Sequence, residues 1–265
     1  LLGILAVIAL FPLFWMFSTS LKSLQEISVF PPVMFPPEPR WDNYVDATTF
    51  VPFGRYAINT VVIAVFYIIG NLLSASLVGY GFARLRFPGR NILFTVMIST
   101  LLMPLIVRLV PLFLLYKQLG WLNTPLPLIA PGFFGEAFFI YLMYQYFRSI
   151  PQELIDAARI DGASEVAIWL RIMVPLSVPA LVAIAIFAFQ RSWNDFLAPL
   201  VFLTKKSSWT LSLGLVSFTG GTGESVAYWH YLMAMSTMMV APMIIIFLFA
   251  QRYFVQGVIT SGMKG

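Results

Sequence analysis

The sequence predicts an all-α membrane protein that crosses the bilayer about six times, and three observations carry that prediction. Sixty per cent of the 265 residues are hydrophobic and only 10% are charged, where an ordinary soluble domain is about a quarter charged. The mean hydropathy is +0.86, so the chain cannot cover itself with polar surface and its outer face suits hydrocarbon. The apolar residues also fall into runs of 20 to 28 residues, and about 20 suffice to span a bilayer as a helix.

Those runs are Leu1–Ser20, Tyr56–Ala83, Asn91–Tyr116, Leu126–Phe147, Leu176–Leu203 and Trp229–Gln251. The first starts without an initiator Met and reads as the remainder of a membrane helix whose cytoplasmic flank is missing, not as a cleaved signal peptide. Pro12, Pro104, Pro111, Pro131, Pro199 and Pro242 interrupt the runs. Neighbouring helices can satisfy the carbonyls that proline frees, so a bundle of bent helices around a cavity is expected over straight rods. Residues 1–265 then form a single transmembrane domain with external loops 20–55 and 204–228 and an internal loop 149–175.

Lys and Arg in the connections set the orientation. One side holds Arg84, Arg86, Arg90, Arg148, Arg159, Arg171, Arg252 and Lys264, eight in all, against six on the other: Lys22, Arg40, Arg55, Lys117, Lys205 and Lys206. The Arg84–Arg90 turn is short and dense, where the positive-inside rule has force. The eight-residue side is therefore read as cytoplasmic, which puts both termini there. The net charge of +5 has no dense basic stretch behind it, so lipid is the expected contact and nucleic acid is not. The chain has no Cys and a single His, which excludes disulfides and cysteine catalysis and leaves no expected metal site.

The external connections differ in character. Ser20–Arg55, with Pro31, Pro32, Pro36, Pro37 and Pro39, reads as an extended, partly ordered loop over the membrane face. Thr204–Tyr228 carries a glycine-rich tip at Gly220, Gly221, Thr222 and Gly223, which by composition is either a flexible solvent loop or a functional one. Trp41, Trp121, Trp209 and Trp229 lie near predicted helix ends, as interfacial anchors do.

The internal loop carries the most information. It reads S-I-P-Q-E-L-I-D-A-A-R-I-D-G-A-S-E-V-A-I-W-L-R-I-M-V-P over residues 149–175. Ser149 and Gln152 fit a capping box with Pro151 in the first turn. The helix is expected to run through Asp161 and stop at Gly162, a residue suited to a left-handed cap. Ser164 then caps a second short helix, and Pro175 marks the entry to the fifth span. On the first helix Leu154, Ala157, Ala158 and Asp161 share a face by i, i+3, i+4 spacing, with Glu153, Asp156 and Arg159 as a polar rim. A helix lying on lipid would carry more Lys, Arg and large apolar residues, so docking into a protein groove is the expected role.

The loop resembles the EAA signature of ABC-importer permease subunits: E-A-A, three residues, G, nine residues, then I-x-L-P. Asp156-Ala157-Ala158, Gly162 and Ile172-Met173-Val174-Pro175 match it with both spacings kept. Asp156 stands for Glu and Val174 for Leu. Gly79-Tyr-Gly-Phe-Ala-Arg84 with Phe87-Pro-Gly89, Trp193-Asn194-Asp195, and the ending Gln251–Gly257 with Gly262–Gly265 extend the likeness over nearly the whole chain. They look like the carbohydrate-uptake branch, and within it the six-helix subunit of the maltose type. The resemblance implies a type I importer permease fold with a cytoplasmic coupling helix, Leu154 to Gly162, between the fourth and fifth helices. It implies no catalytic centre and no cofactor of the chain's own, since ATP and Mg would be bound by partner subunits. The implied partners are a second permease, two nucleotide-binding ATPase subunits and an extracytoplasmic solute-binding protein, the cargo a sugar, and the location the inner membrane. Coupling to the ATPase would fall to Glu153, Leu154, Asp156, Ala157, Ala158, Arg159, Asp161, Gly162, Ile172 and Pro175. The Gly220–Gly223 tip matches by position a loop that probes the binding protein's sugar cleft.

Charged groups within the spans cost about 2.5–3.5 kcal/mol at mid-bilayer and so call for a role. Arg108 and Glu136 sit at comparable depth, where they either pair across helices and line a translocation path, or form a structural ion pair or snorkel toward the outer surface. Arg191 and Asp195 are placed to pair locally at i, i+4. Asn194 is either a pore-facing amide or, with Trp193 and Asp195, part of a packing lock. Two other classes remain: an importer permease for a non-sugar solute, and a secondary transporter. The second lacks a visible inverted repeat and has no use for a docking loop. A membrane enzyme fails on the missing Cys and His and the lack of clustered carboxylates.

Overall fold

The computed structural model describes residues 1–220 and 227–262, with side chains up to residue 249 apart from that gap. In chain order the helices are α1 (Leu2–Ser20), α2 (Leu24–Ile27), α3 (Asp42–Phe50), α4 (Phe53–Arg84), α5 (Arg90–Ser99), α6 (Leu105–Gln118), α7 (Leu126–Phe134), α8 (Ala137–Ser149), α9 (Gln152–Ile160), α10 (Glu165–Ile168), α11 (Val174–Leu176), α12 (Val178–Asn194), α13 (Leu197–Phe202), α14 (Leu211–Gly214) and α15 (Trp229–Gly262). Helices are the only regular elements among the described residues.

Four stretches are long and apolar enough to cross a membrane: Leu2–Ser20, Phe53–Arg84, Leu126–Ser149 and Trp229–Phe249, the third made of α7 and α8 joined at Gly135 and Glu136. Two further pairs, Arg90–Leu102 with Leu105–Gln118 and Glu165–Leu176 with Val178–Asn194, are bent by 104° and 78°. Counting each pair as one span gives the expected six. The third predicted segment is therefore broken where the sequence suggested one helix. Met103 precedes Pro104 and takes an extended conformation, ψ 113°, as a residue before proline prefers. The fifth also departs from Leu176–Leu203: Asp195 is extended, so α12 ends at Asn194 and α13 follows as a separate short helix.

The contacts group the chain into two compact units. The first comprises residues 1–60 and 205–248. Here the proline-rich connection is more ordered than its composition suggested. Ser23 and Glu26 form a capping box around α2, with the Ser23 N–H donating to the Glu26 carboxylate at 2.7 Å. The buried Asn43 amide on α3 donates to the carbonyls of Ser20 and Lys22 at 2.8 and 2.9 Å. Residues 205–218 pack on the start of α4. The Asn59 amide donates to the Ser207 and Trp209 carbonyls at 3.1 and 2.9 Å, and the Thr60 hydroxyl accepts the Leu211 N–H at 2.9 Å.

The second unit comprises residues 61–204 and 249–265. In it α8 packs against α5 and α12, and α13 against α6 and α7. One core joins Ala75 and Tyr80 of α4, Met143 and Phe147 of α8, Ile155 and Ala158 of α9, Ile168 of α10 and Ile184 of α12. Where α4 meets α7 the backbones touch. A Cβ built on Gly132 would lie 2.8 Å from the Tyr67 carbonyl oxygen, and one on Gly70 would lie 2.8 Å from the Phe133 nitrogen. Small residues at membrane helix crossings permit this approach. Gly132→Ala should therefore lower stability in detergent by about 1–3 kcal/mol, the usual cost of overpacking. Gly81→Ala, with open space around it, should be neutral or gain up to about 1 kcal/mol. Thermal unfolding of the purified variants checks both.

Candidate functional site

The polar loop begins differently from its expected start. Ser149 does not cap α9: α8 runs through it, and its hydroxyl donates to the Tyr146 carbonyl at 2.7 Å. The N-cap is Pro151, with no side-chain bond. Gln152 is engaged elsewhere, accepting from Arg84 Nη1 at 2.6 Å and donating to Asp156 at 3.0 Å. The second terminal nitrogen of Arg84, Nη2, donates to the carbonyls of Phe147 and Ile150. A helix C-terminus leaves carbonyls without intrahelical partners, and here a guanidinium from another helix satisfies them.

α9 ends at Ile160, one residue short of the expected Asp161, and the stop at Gly162 is as the sequence indicated. Gly162 has φ +80°, its N–H donates to the Arg159 carbonyl at 3.0 Å, and the Ala163 N–H donates to the Ala158 carbonyl at 3.0 Å. This is the Schellman arrangement, in which the left-handed residue closes the last turn. The Ser164 hydroxyl then accepts the Ala167 N–H at 3.3 Å to start α10. Across the bend, Arg159 pairs with Glu165 at 2.8 Å and with Asp156 at 3.4 Å. The hydrogen bond that Arg159 donates to Glu165 is the main reason its guanidinium is held above its ordinary pKa. Glu165 also accepts the Tyr80 hydroxyl at 2.5 Å.

One member of the expected docking face is corrected. Ala158 turns inward with Ile155 and is buried in the core, so the outward stripe of α9 is Leu154, Ala157 and Ile160, with Glu153 and Asp161 also exposed. Ile160 is 86% exposed, a residue that sequence reasoning passed over. Its i, i+3 relation to Ala157 and Leu154 was the available signal. Ile172 is half-buried against the same core, while Pro175 and Gly162 are exposed.

A second polar cluster lies within the spans of the same unit. Glu136 sits at the two-residue break between α7 and α8. Its carboxylate accepts the Tyr67 hydroxyl of α4 and pairs with Arg191 of α12 at 2.6 Å. The expected Arg108–Glu136 pair is thus replaced by Arg191–Glu136. Arg108 has a buried Nε without a hydrogen-bond partner among the described residues. Arg191 reaches across helices to Glu136, while Asp195 Oδ1 accepts the Ala198 N–H at 3.2 Å at the start of α13. Asn194 is exposed and its amide donates to the Gln190 carbonyl at 3.0 Å.

Of the glycine-rich tip, Gly220 is described, with φ +73°, whereas Gly221, Thr222 and Gly223 lie outside the described residues. The stems of the loop are joined: the Tyr228 N–H donates to the Phe218 carbonyl at 2.8 Å.

This helical fold, with its capped two-helix loop ahead of α12, is similar to a family of transporter permeases. The sequence model for the family described as binding-protein-dependent transport system inner membrane component matches residues 73–260. The diacetylchitobiose uptake system permease protein NgcG of Streptomyces coelicolor is 32% identical over 93% of this chain and 82% of its own. The arabinooligosaccharides transport system permease protein AraQ of Bacillus subtilis is 35% identical over 98% of this chain and 92% of its own. A chain from the crystal structure of a bacterial ABC transporter involved in import of the acidic polysaccharide alginate superimposes with TM-score 0.83 at 26% identity, over 96% of this chain and 93% of that one. The chain belongs to the family of binding-protein-dependent transport system inner membrane components, the permease subunits of ABC importers.

The Glu136–Arg191 pair makes a direct prediction. Arg191→Met strands the 16%-exposed Glu136 side chain without its cation, at a cost of up to about 2.5–3.5 kcal/mol if it stays ionised in the membrane. Glu136→Gln combined with Arg191→Met should recover much of that loss, as a double-mutant cycle for a contacting pair requires. Thermal denaturation of the four proteins in one detergent gives the coupling energy.

Proposed function

We propose that this chain is one of two permease subunits of an ATP-driven, binding-protein-dependent importer whose cargo is a sugar, most simply an oligosaccharide. The observation that carries the reading is α9. It is a short helix closed by Gly162, with an apolar stripe of Leu154, Ala157 and Ile160 turned outward between acidic neighbours. A soluble-side helix that buries one apolar stripe and displays another needs a partner to cover the second. In this reading the ATPase subunit provides that cover. Two such subunits bind ATP and Mg, so the permease needs no cofactor, and a second permease completes the pathway. The cytoplasmic side then holds both termini. Sugar as cargo is supported by relatives named for diacetylchitobiose and arabinooligosaccharide uptake.

Arg191 joins Arg108, Glu136, Asn194 and Asp195 as a pathway residue. Its side chain is 50% exposed within a membrane-spanning helix. A guanidinium there turns to a polar cavity or a partner helix and away from hydrocarbon. A carboxylate and guanidinium together offer the acceptors and donors that sugar hydroxyls use. On the extracytoplasmic side, the solute-binding protein is read as meeting the Gly220–Gly223 tip. The joined stems of that loop support its presentation as a unit.

The test is co-purification of the ATPase subunit with tagged permease. Ile160→Asp places a charge in the centre of the stripe and should weaken association by at least about 2 kcal/mol, roughly thirtyfold, the scale of an interface hot spot. Glu38→Gln, on an external connection in this topology, should leave association unchanged. Undiminished co-purification of Ile160→Asp would overturn the docking role of α9.

A further inference from the structure

Resting on that reading of α9, we propose that Tyr80 and Arg84 are positioning residues that clamp both ends of α9 to one turn of α4. The two stand at i, i+4 on α4 and so share a face of that helix. Arg84 holds the entrance to α9, through Gln152 at 2.6 Å and through the carbonyls of Phe147 and Ile150. Tyr80 holds the exit, through Glu165 at 2.5 Å, and Glu165 in turn holds Arg159 on the last turn of α9 at 2.8 Å. Between the two anchors Ile155 and Ala158 are buried against the same core as Tyr80.

Two anchors fix more than one does. A single attachment leaves a short helix free to pivot, and a nine-residue helix flanked by loops would absorb a push by turning. Attachment at both ends makes α9 and the end of α4 one body, so displacement imposed on α9 reaches α4. The bonds are suited to the task. Arg84 makes a charge-assisted fork with three oxygens, and Glu165 is shared by Tyr80 and Arg159; bonds to ionised groups are about twice as strong as neutral ones. Arg84 therefore does more than orient the chain by its charge. A lysine there would keep the charge and lose the fork.

The chain has no native Cys, so spin labels can be placed at Asp161→Cys, beyond the end of α9, and Arg86→Cys, beyond the end of α4. Pulsed electron resonance on the assembled transporter, with and without a non-hydrolysable ATP analogue, reads whether the two move together. The clamp predicts one narrow distance distribution that nucleotide does not shift. In Tyr80→Phe/Arg84→Gln that distribution should broaden and become nucleotide-sensitive, and Arg84→Lys should fall between. A distribution in the double variant as narrow and as insensitive as in the parent would overturn the clamp. If the double variant does not assemble, Tyr80→Phe alone, which keeps the ring in its pocket, decides by the same criterion. The docking reading is judged separately: loss of ATPase association in Ile160→Asp together with an unchanged distance in the clamp variants would reject the clamp and keep the docking.

Discussion

Hydrocarbon offers no hydrogen bonds, so every backbone group that a broken helix releases must find a partner inside the protein. The second unit is organised around that constraint. Its spans are interrupted by proline, glycine or an extended residue, and at several interruptions a side chain adds a bond to the backbone. The Ser74 hydroxyl donates to the Gly132 carbonyl at 2.7 Å, just before the break at Gly135 and Glu136. The Ser177 hydroxyl lies within hydrogen-bonding distance of the carbonyls of Met173 and Val174 where the chain turns into α12. Asp195 accepts the Ala198 N–H where α13 restarts, and Arg84 gathers the carbonyls at the end of α8. These bonds make sharp bends tolerable in helices that would otherwise have to run straight.

The same economy places the charges. Glu136 is tolerable within a span because Tyr67 and Arg191 meet it from two other helices. Removing either charge alone leaves the other poorly compensated, whereas removing both need cost little. Breaks and charges thus coincide at Gly135 and Glu136, the site that the proposed reading assigns to the pathway. At the soluble end, α9 is held from inside the unit by its buried stripe and from its ends by Arg84 and Glu165. The outward stripe stays exposed. In the proposed reading, force received there has a defined route to α4.

The parts of this arrangement written in local sequence were legible in advance. Six apolar runs, the stop at Gly162, the cap at Ser164 and the spacing to Pro175 each depend on a few neighbouring residues. The parts that depend on another helix were not. Ser149 looked like an N-cap because the sequence does not reveal that Arg84, far away in the chain, would satisfy the end of α8. Ala158 looked outward because two apolar stripes, Leu154–Ala157–Ile160 and Ile155–Ala158, run side by side on α9, and only tertiary packing selects which is buried. Depth alone pairs Arg108 with Glu136, but depth ignores how helices are arranged around one another, and that arrangement puts Arg191 beside Glu136. The bend at Pro104 was visible as a proline, but not its 104° angle.

The central claim is that the outward stripe of α9 is covered by the ATPase subunit. The most direct measurement is maleimide labelling of single cysteines in this naturally cysteine-free chain. The account predicts that Ile160→Cys reacts readily in the isolated permease and becomes protected in the assembled transporter, while Ala158→Cys stays unreactive in both. Equal labelling of Ile160→Cys with and without the ATPase subunit would contradict it.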